Sequence, residues 1–450
     1  MPLIILNLFA CIALLGASTV ALALPFTSFD PRTMAMGGAG VAVADAASAP
    51  FFNPALLSTA RYSDDFSLAL PSAGISVADT ENLRDSVDLF QNGNYVSNLE
   101  TSVSALDAAI AAVNVAVPAT FTAVSSTAST VSTNLTTLSQ QLATLSNKPI
   151  TLDGGIATVV GIPNKKFGIA FFANRYGSAG GMFQYKDAAL ITGLATQASC
   201  LSAAAAISDP AAAAAAITAC GTPSFVANNL LSSITIRGVM FTEIGFALSR
   251  EFLINRQRVA LGITPKLVRA KLYEVPVSVN SSSLSGITGS DYMAEYNIAN
   301  FDLGVAQNFR NGWRAGLVVK NVIPYTPDFK IAPAPGLTPV ATGNELTLLP
   351  QTRIGISHTN RWSTLAMDID VYRNKPIGLE NDTQYISLGG ELNGWDTAQI
   401  RAGYKINLVD SSRNIVSFGL GLSPFGIHFD FAVAGNSNEL GAALQFGFRF

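Results

Sequence analysis

Charge is scarce in this chain. Asp, Glu, Lys and Arg make up 13% of its 450 residues, about half the share of an ordinary soluble domain, and a soluble surface needs more than this. Long apolar runs are also lacking. Beyond the N-terminus no uninterrupted apolar segment reaches the roughly 18 residues that a membrane-crossing helix requires. Sparse charge without helical spans leaves a barrel whose outward face meets lipid. Histidine occurs twice, at His358 and His428, and cysteine three times. A zinc site needs three or four convergent ligands, so neither a metal nor a cofactor is expected. The formal net charge of −3 and pI near 5.5 argue against direct nucleic-acid binding.

The N-terminus reads as an export signal over residues 1–23, with an apolar run from Leu3 and a small-x-small cleavage site at Ala21-Leu22-Ala23. No basic residue precedes the run. A lipoprotein-type site at Leu8-Phe9-Ala10-Cys11 is the rival reading, but the apolar run continues well past Cys11. Removal of the signal leaves Cys200 and Cys220, which flank two Ala-rich segments broken at Asp209-Pro210. An antiparallel helix pair would bring them together, and an exported protein with two cysteines more often pairs them than not. Two isolated thiols in a loop is the alternative.

What the chain does have is alternation. In its last stretch Leu440, Ala442, Leu444, Phe446, Phe448 and Phe450 share one face of a strand, and Gly441, Ala443, Gln445, Gly447 and Arg449 the other. The same pattern predicts strands at 65–72, 152–161, 166–176, 239–252, 257–273, 295–309, 312–322, 350–359, 361–373, 383–393, 395–408, 413–422, 425–434 and 439–450. These are about fourteen, an even number as bacterial barrels require. Their connections alternate between short turns and long insertions, so all the longest insertions fall on one side. By parity the lumen receives Asp302, Arg314, Lys320, Arg353, Asp368, Asp370, Glu391, Arg401, Lys405, Asp430 and Arg449. Lipid receives Leu317, Ile354, Ile369, Leu388, Ile400, Phe418, Phe429 and Phe446. Inward charges of both signs make either a wet, non-selective interior or ion pairs that lock something in place. Trp313, Trp362, Tyr372 and Trp395 near strand ends suit interfacial girdles. Around Leu267-Val268 the faces of Lys266 and Arg269 conflict, which suggests a β-bulge. Phe446, Phe448 and Phe450 resemble the sorting signal that outer-membrane barrels present to their assembly machinery.

Two segments interrupt the strands. In 81–146 apolar residues recur at steps of three and four: Leu99, Val103, Leu106, Ile110, Val113 and Val117, then Phe121, Val124, Ala128, Val131, Leu135, Leu138, Leu142 and Leu145. Pro118 between them breaks or kinks the helix. The seam's flanks carry Ser and Thr instead of charge, giving either a self-packed insertion or a weakly specified partner surface. An Ala-rich helical insertion spans 186–230.

Residues 24–61 have little alternation and are rich in Gly and Ala. The stretch Arg32-x-Met34-x-Met36-Gly37-Gly38-Ala39-Gly40, followed by Asn53-Pro54-Ala55, has no Gly-Lys-Ser/Thr and no βαβ context, so it is not a phosphate loop. It resembles the N-terminal plug of the long-chain fatty-acid transporter (FadL) superfamily of outer-membrane barrels. With the ending Arg401-Ala-Gly-Tyr404-Lys-Ile-Asn407, Leu420-Gly-Leu-Ser-Pro424-Phe-Gly-Ile-His428 and Ala434-Gly-Asn436, the chain is similar to outer-membrane proteins grouped as conjugal-transfer TraF-like. It lacks the Cys-x-x-Cys of thioredoxin-like TraF proteins.

The expected fold is therefore an all-β membrane protein: an antiparallel transmembrane barrel of about fourteen strands, plug 24–61, barrel 62–450, and helical outer-loop insertions. Catalysis is not expected. Ser417, His428 and Asp430 share the inner face, but nothing there orients a nucleophile. The resemblance implies a passive conduit for small hydrophobic molecules, with pockets between the outer loops and the plug near Phe51 and Phe52. A second class is an envelope docking component tied to conjugal transfer, using 81–146 for contact. Expected partners are outer-membrane lipid, the barrel-assembly machinery, a small hydrophobic ligand, and envelope or conjugation proteins.

Overall fold

A computed structural model describes residues 29–59, 66–254, 257–278, 290–333, 337–377, 379–394 and 397–449. The export signal 1–23, Trp395 and Phe450 lie outside these. Sixteen strands are present among the described residues: β1 (Ser67–Ala78), β2 (Pro149–Ile162), β3 (Gly168–Gln184), β4 (Ser233–Ile254), β5 (Gln257–Ser278), β6 (Met293–Asn308), β7 (Trp313–Lys320), β8 (Asp328–Ile331), β9 (Val340–Glu345), β10 (Gln351–Thr359), β11 (Ser363–Asp370), β12 (Tyr385–Gly394), β13 (Ala398–Asn407), β14 (Ile415–Leu422), β15 (Ile427–Gly435) and β16 (Glu439–Arg449). Fourteen of them close into an antiparallel barrel in sequence order, with β1 pairing β16, while β8 and β9 form a separate hairpin. Each barrel strand matches one strand expected from the alternation.

The alternation sorts the side chains as period two requires. Ile354, Leu388, Ile400, Phe418, Phe429 and Phe446 are exposed on the outer face. Leu317 keeps this parity, in register with Ile354, but is buried. Trp313 and Trp362 stand exposed at the end with the short turns. The opposite end carries the long connections.

Two strands depart from the expected pattern. β5 has no bulge: its register with β6 is unbroken from Arg258 to Tyr273. Lys266 is buried inside, whereas Arg269 points outward and binds Glu295 at 2.6 Å. The ladder with β4 merely lacks pairs at Thr264 and Pro265, because proline has no N–H to donate. The bulge is in β1 instead. Its register shifts between Ala69 and Ser72 against both neighbours, so Leu70 and Pro71 stand opposite one residue on each side. This flips the parity and turns Ser72 inward. The strand then runs on to Ala78, beyond the expected end at 72.

The insertion after β1 folds as three helices, α3 (Leu83–Asn92), α4 (Tyr95–Ala111) and α5 (Ala119–Leu145); that after β3 adds α6 (Ala188–Ala205) and α7 (Pro210–Cys220). All eight seam residues of α5 are buried, from Phe121 to Leu145. The seam of α4 is buried only to Leu106, and Val117 is exposed in the connection. The two halves are thus separate helices of a hairpin, and Pro118 starts the second one. The uncharged flank works because threonine hydroxyls return to the helix: Thr127, Thr130, Thr133 and Thr136 each donate to the carbonyl four residues back. By length and composition α6 would suffice to cross a membrane. Here Ile191, Leu194, Ala198 and Leu201 pack into one core with α4, α5 and α7.

A disulfide joins Cys200 of α6 to Cys220 of α7, with Cα atoms 5.8 Å apart. A loop of this length adds about 3 kcal/mol by restricting the unfolded chain. Cys200→Ser with Cys220→Ser is expected to make the helical insertion the first site of proteolysis and leave barrel mobility unchanged. Equal protease resistance with and without reductant would count against this.

Candidate functional site

The lumen is occupied by the chain's own residues 29–59. Asp30 caps α1 (Pro31–Ala35), its Oδ2 accepting from the Thr33 N–H at 2.9 Å, with Pro31 in the first helical turn. Gly37 and Gly38 then turn the chain at φ +67° and +88°, a region that side chains disfavour. Phe52, ending α2 (Ala49–Phe52), packs so close to Gly40 that a Cβ there would sit 2.3 Å from its ring. Asn53 ties three segments together. Its Nδ2 donates to the carbonyls of Val41 (2.9 Å) and Val305 (3.0 Å), and its Oδ1 accepts from the Ala55 N–H at the turn begun by Pro54.

Two kinds of contact hold this segment to the wall. Against the half of the ring from β1 to β7 it is apolar: Val41, Ala49, Phe52, Leu56 and Leu57 bury with inward Ala69, Val159, Phe172, Ala247 and Val318. Against β10 to β16 it is polar. Arg32 binds Glu391 through Nε (2.8 Å) and Nη2 (3.0 Å), and Arg401 Nε binds the same carboxylate at 2.8 Å. Arg401 also binds Asp430. Asp368 Oδ2 accepts from the Gly40 and Val41 N–H groups at 2.8 and 2.9 Å. Ser417 Oγ accepts from Gly37 N–H and donates to the Ala35 carbonyl, both at 3.0 Å. Arg353 reaches the Gly38 carbonyl and Asp370, and Arg449 binds Asp45 at 2.7 Å; on the other half, Arg314 of β7 adds bonds to the carbonyls of Ala42 and Thr59. Met36 is wholly buried and Met34 half-buried.

The charges inside this segment respond to their surroundings. Burial lifts the Asp30 carboxyl to about 6, and the nearby Asp45 charge adds to the rise, which the Thr33 bonds only partly offset. Burial would lift Asp45 too, but Arg449 and Arg32 outweigh it and hold that carboxyl well below the usual range.

Beyond the segment, toward the long-loop end, lies a cavity of about 220 Å³ whose walls include Phe29, Phe51, Ile156, Tyr176 and Phe241. Two connections fold inward over it. Hairpin β8–β9 lays Phe329, Leu346 and Leu348 against inward Phe241, Val268, Leu272 and Ile298, and Glu274 accepts from Arg237, Thr342 and Asn344. The β11–β12 connection is a strap. A backbone bridge between Asn374 and Thr383 closes its base, and Pro376, Ile377 and Glu380 line the cavity. Glu380 accepts from Thr151 of β2 at 2.5 Å and from Arg413 at 2.7 Å. In the ring of fourteen, β2 stands six places from β12, past β13, β14, β15, β16 and β1, so the strap crosses the lumen. Asp302 lies apart from the segment's polar contacts, facing Lys266 at 3.1 Å, and Lys266 is 3.3 Å from Glu243.

Comparison with known proteins adds a family. The model described as "F plasmid transfer operon, TraF, protein" matches residues 50–370. The chain belongs to this TraF family. Among solved structures it is similar to the Ralstonia pickettii toluene transporter TbuX (12% identity, 94% of this chain and 98% of that one, TM-score 0.48). It is likewise similar to the Pseudomonas putida toluene transporter TodX (13%, 96% and 100%, 0.46) and to the monoaromatic hydrocarbon channel CymD (10%, 95% and 99%, 0.48). No curated protein matches it. The barrel of this TraF-family chain rests on its own strand pairing, not on these likenesses.

In this TraF-family protein the serine, histidine and aspartate of the inner face do not meet as a triad. Ser417 is spent on the lumenal segment, Asp430 on Arg401, and His428 Nδ1 lies 2.6 Å from Ser423 Oγ. No metal-holding group of three His, Cys, Asp or Glu exists among the described residues.

The alternation did not reveal the inward glycines. A Cβ on Gly403 would stand 2.0 Å from the Gly37 nitrogen, on Gly304 2.1 Å from Asn53 Oδ1, and on Gly262 2.4 Å from the Ala55 nitrogen; on Gly316 and Gly389 it would stand 2.5 Å from the segment's backbone. They sit on five strands and mark where the segment's backbone approaches the wall. Their signal was glycine recurring at inward parity on successive strands.

Proposed function

We propose that this TraF-family barrel spans the bacterial outer membrane, with residues 29–59 as its plug and Phe446, Phe448 and Phe450 as its assembly signal. We read its lumen as a passive path for small, largely apolar molecules. The observation that carries this is the cavity between plug and strap, where Phe29, Phe51, Ile156, Phe241 and Ile377 share one space with polar and charged side chains. The outer band of exposed Ile, Leu, Phe and Val supports the membrane placement. Native extraction followed by mass spectrometry of co-purifying small molecules tests the path. The expected result is a stoichiometric apolar or amphipathic molecule that is lost when Ile377→Trp fills the cavity. A cavity that carries nothing in either protein would sink the reading.

Leu388→Arg is expected to cost about 2–4 kcal/mol at mid-bilayer and to reduce heat-modifiable folded protein. Ser387→Arg should fail as well, because Ser387 is buried beside Gly38 and that depth of the lumen is filled, not wet. Ser76→Arg, half-buried on the cavity wall, is the tolerated control. Equal yields from Leu388→Arg and Ser76→Arg would overturn the lipid-facing assignment.

A second reading, a docking component of conjugal transfer, is favoured by the family's description and by the helical insertion. Deleting 81–146 while the barrel still assembles should then abolish plasmid mating; unchanged mating would leave the conduit alone.

A further inference from the structure

The strap end of the cavity carries hydrogen-bonding capacity that the chain does not use. Thr383, Arg413 and Glu439 all line it. Thr383 Oγ1, Arg413 Nε and Glu439 Oε2 are buried with no hydrogen-bond partner among the described residues. Thr383 is 1% exposed and Arg413 6%, so bulk solvent does not satisfy them. The rest of the Arg413 guanidinium is engaged, Nη2 with Glu380 and Nη1 with the Asn381 carbonyl at 3.4 Å. These three atoms come from the strap, the β13–β14 connection and the first residue of β16. Unpaired polar atoms are costly when buried, and three around one cavity mark a place for a polar group of a ligand.

What fits that end follows from its chemistry. Arg413 Nε is a donor in search of an acceptor, Glu439 Oε2 an acceptor in search of a donor, and Thr383 can serve as either. Three carboxylates (Asp153, Glu380, Glu439) and two cations (Lys405, Arg413) line this end, so a ligand carboxylate meets an excess of its own sign. An ammonium group satisfies Glu439 and leaves Arg413 Nε unfilled. A plain hydrocarbon satisfies none of the three. A neutral group that both donates and accepts satisfies all of them.

Resting on the conduit reading, we infer that the cavity takes an amphipathic molecule with an uncharged hydroxyl or amide head. The head sits under the strap at Thr383, Arg413 and Glu439, and the apolar body lies against Phe29, Phe51 and Ile377.

The test uses the full chain in detergent and four probes of one size: 2-phenylethanol, 3-phenylpropionate, 2-phenylethylamine and ethylbenzene. Binding is read by saturation-transfer NMR above the micelle background of the cavity-filled Ile377→Trp variant. The expected result is that 2-phenylethanol binds about tenfold more tightly than the other three, roughly the worth of one good hydrogen bond. Thr383→Val should remove most of that preference without changing ethylbenzene binding, and Thr383→Ser should keep it. Equal binding of ethylbenzene and 2-phenylethanol overturns the inference and leaves the conduit standing. Tighter binding of the carboxylate or the amine overturns it likewise. No binding by any probe sinks both.

Discussion

Gly403→Leu is expected to drive residues 29–59 out of the lumen while the barrel stays closed. Gly403 on β13 has the backbone of the lumenal segment against it: a Cβ would lie 2.0 Å from the Gly37 nitrogen and 2.4 Å from the Met36 carbonyl carbon. Ordinary overpacking costs roughly 1–3 kcal/mol because neighbouring side chains can shift. Here the obstacle is backbone. The strand is hydrogen-bonded on both sides to β12 and β14, so the wall cannot retreat. The segment has no such ladder and is the part that yields. Single-channel conductance in planar bilayers should rise well above wild type, and proteases should cleave within 29–59, while heat-modifiable mobility persists. A closed, protease-resistant lumen in the variant would show that the segment is not held there by close approach.

Glu391→Leu should produce the second large effect. Its carboxylate serves both Arg32 of the lumenal segment and Arg401 of the wall. Without it, two guanidiniums remain in a largely buried site, Arg401 with Asp430 and Arg32 with the more distant charge of Asp45. Removing one member of a buried ion network costs about 3–5 kcal/mol, chiefly from the charge left behind. Arg32→Met should cost less, because Glu391 then keeps Arg401 as its partner. The expected order in urea is release of residues 29–59 first in Glu391→Leu, next in Arg32→Met, and last in wild type, read by protease access to that segment. The reverse order of the two variants would mean that Arg32 acts through packing and not through charge.

Much of the barrel was legible because a strand records its two faces in alternate residues. Large apolar side chains at Ile354, Leu388, Phe418 and Phe446 mark one side wherever the strand is placed, and the turns interrupt the pattern at regular intervals. Where the pattern failed, a local event had changed it. The β1 bulge at Leu70-Pro71 switches the faces in mid-strand, so Ile75 and Val77 no longer continue the earlier rhythm. Hairpin β8–β9 has strands of four and six residues, too short for alternation to stand out. The helical seam was readable through Phe121 to Leu145 and misleading at Val117, whose spacing fits but whose helix has already ended.

The lumenal segment 29–59 is an intermediate case. Arg32, Gly37, Gly38, Gly40, Asn53 and Pro54 stood out as a motif. Inward charges such as Glu391, Asp368 and Arg353 were assigned to the lumen, but whether they would face water or one another was open. Their partners are 315 to 359 residues away in the chain, and no local pattern encodes a separation of that size.

By itself, then, the sequence determined which side of each strand is oily and where the chain turns, since both depend on neighbours two to four residues apart. Only the tertiary structure decided what occupies the lumen, that the strap crosses it to Thr151, and that Thr383 Oγ1, Arg413 Nε and Glu439 Oε2 line one cavity with no partner among the described residues. Those outcomes depend on closing the ring, which brings remote strands within bonding distance and closes certain polar atoms off from bulk solvent.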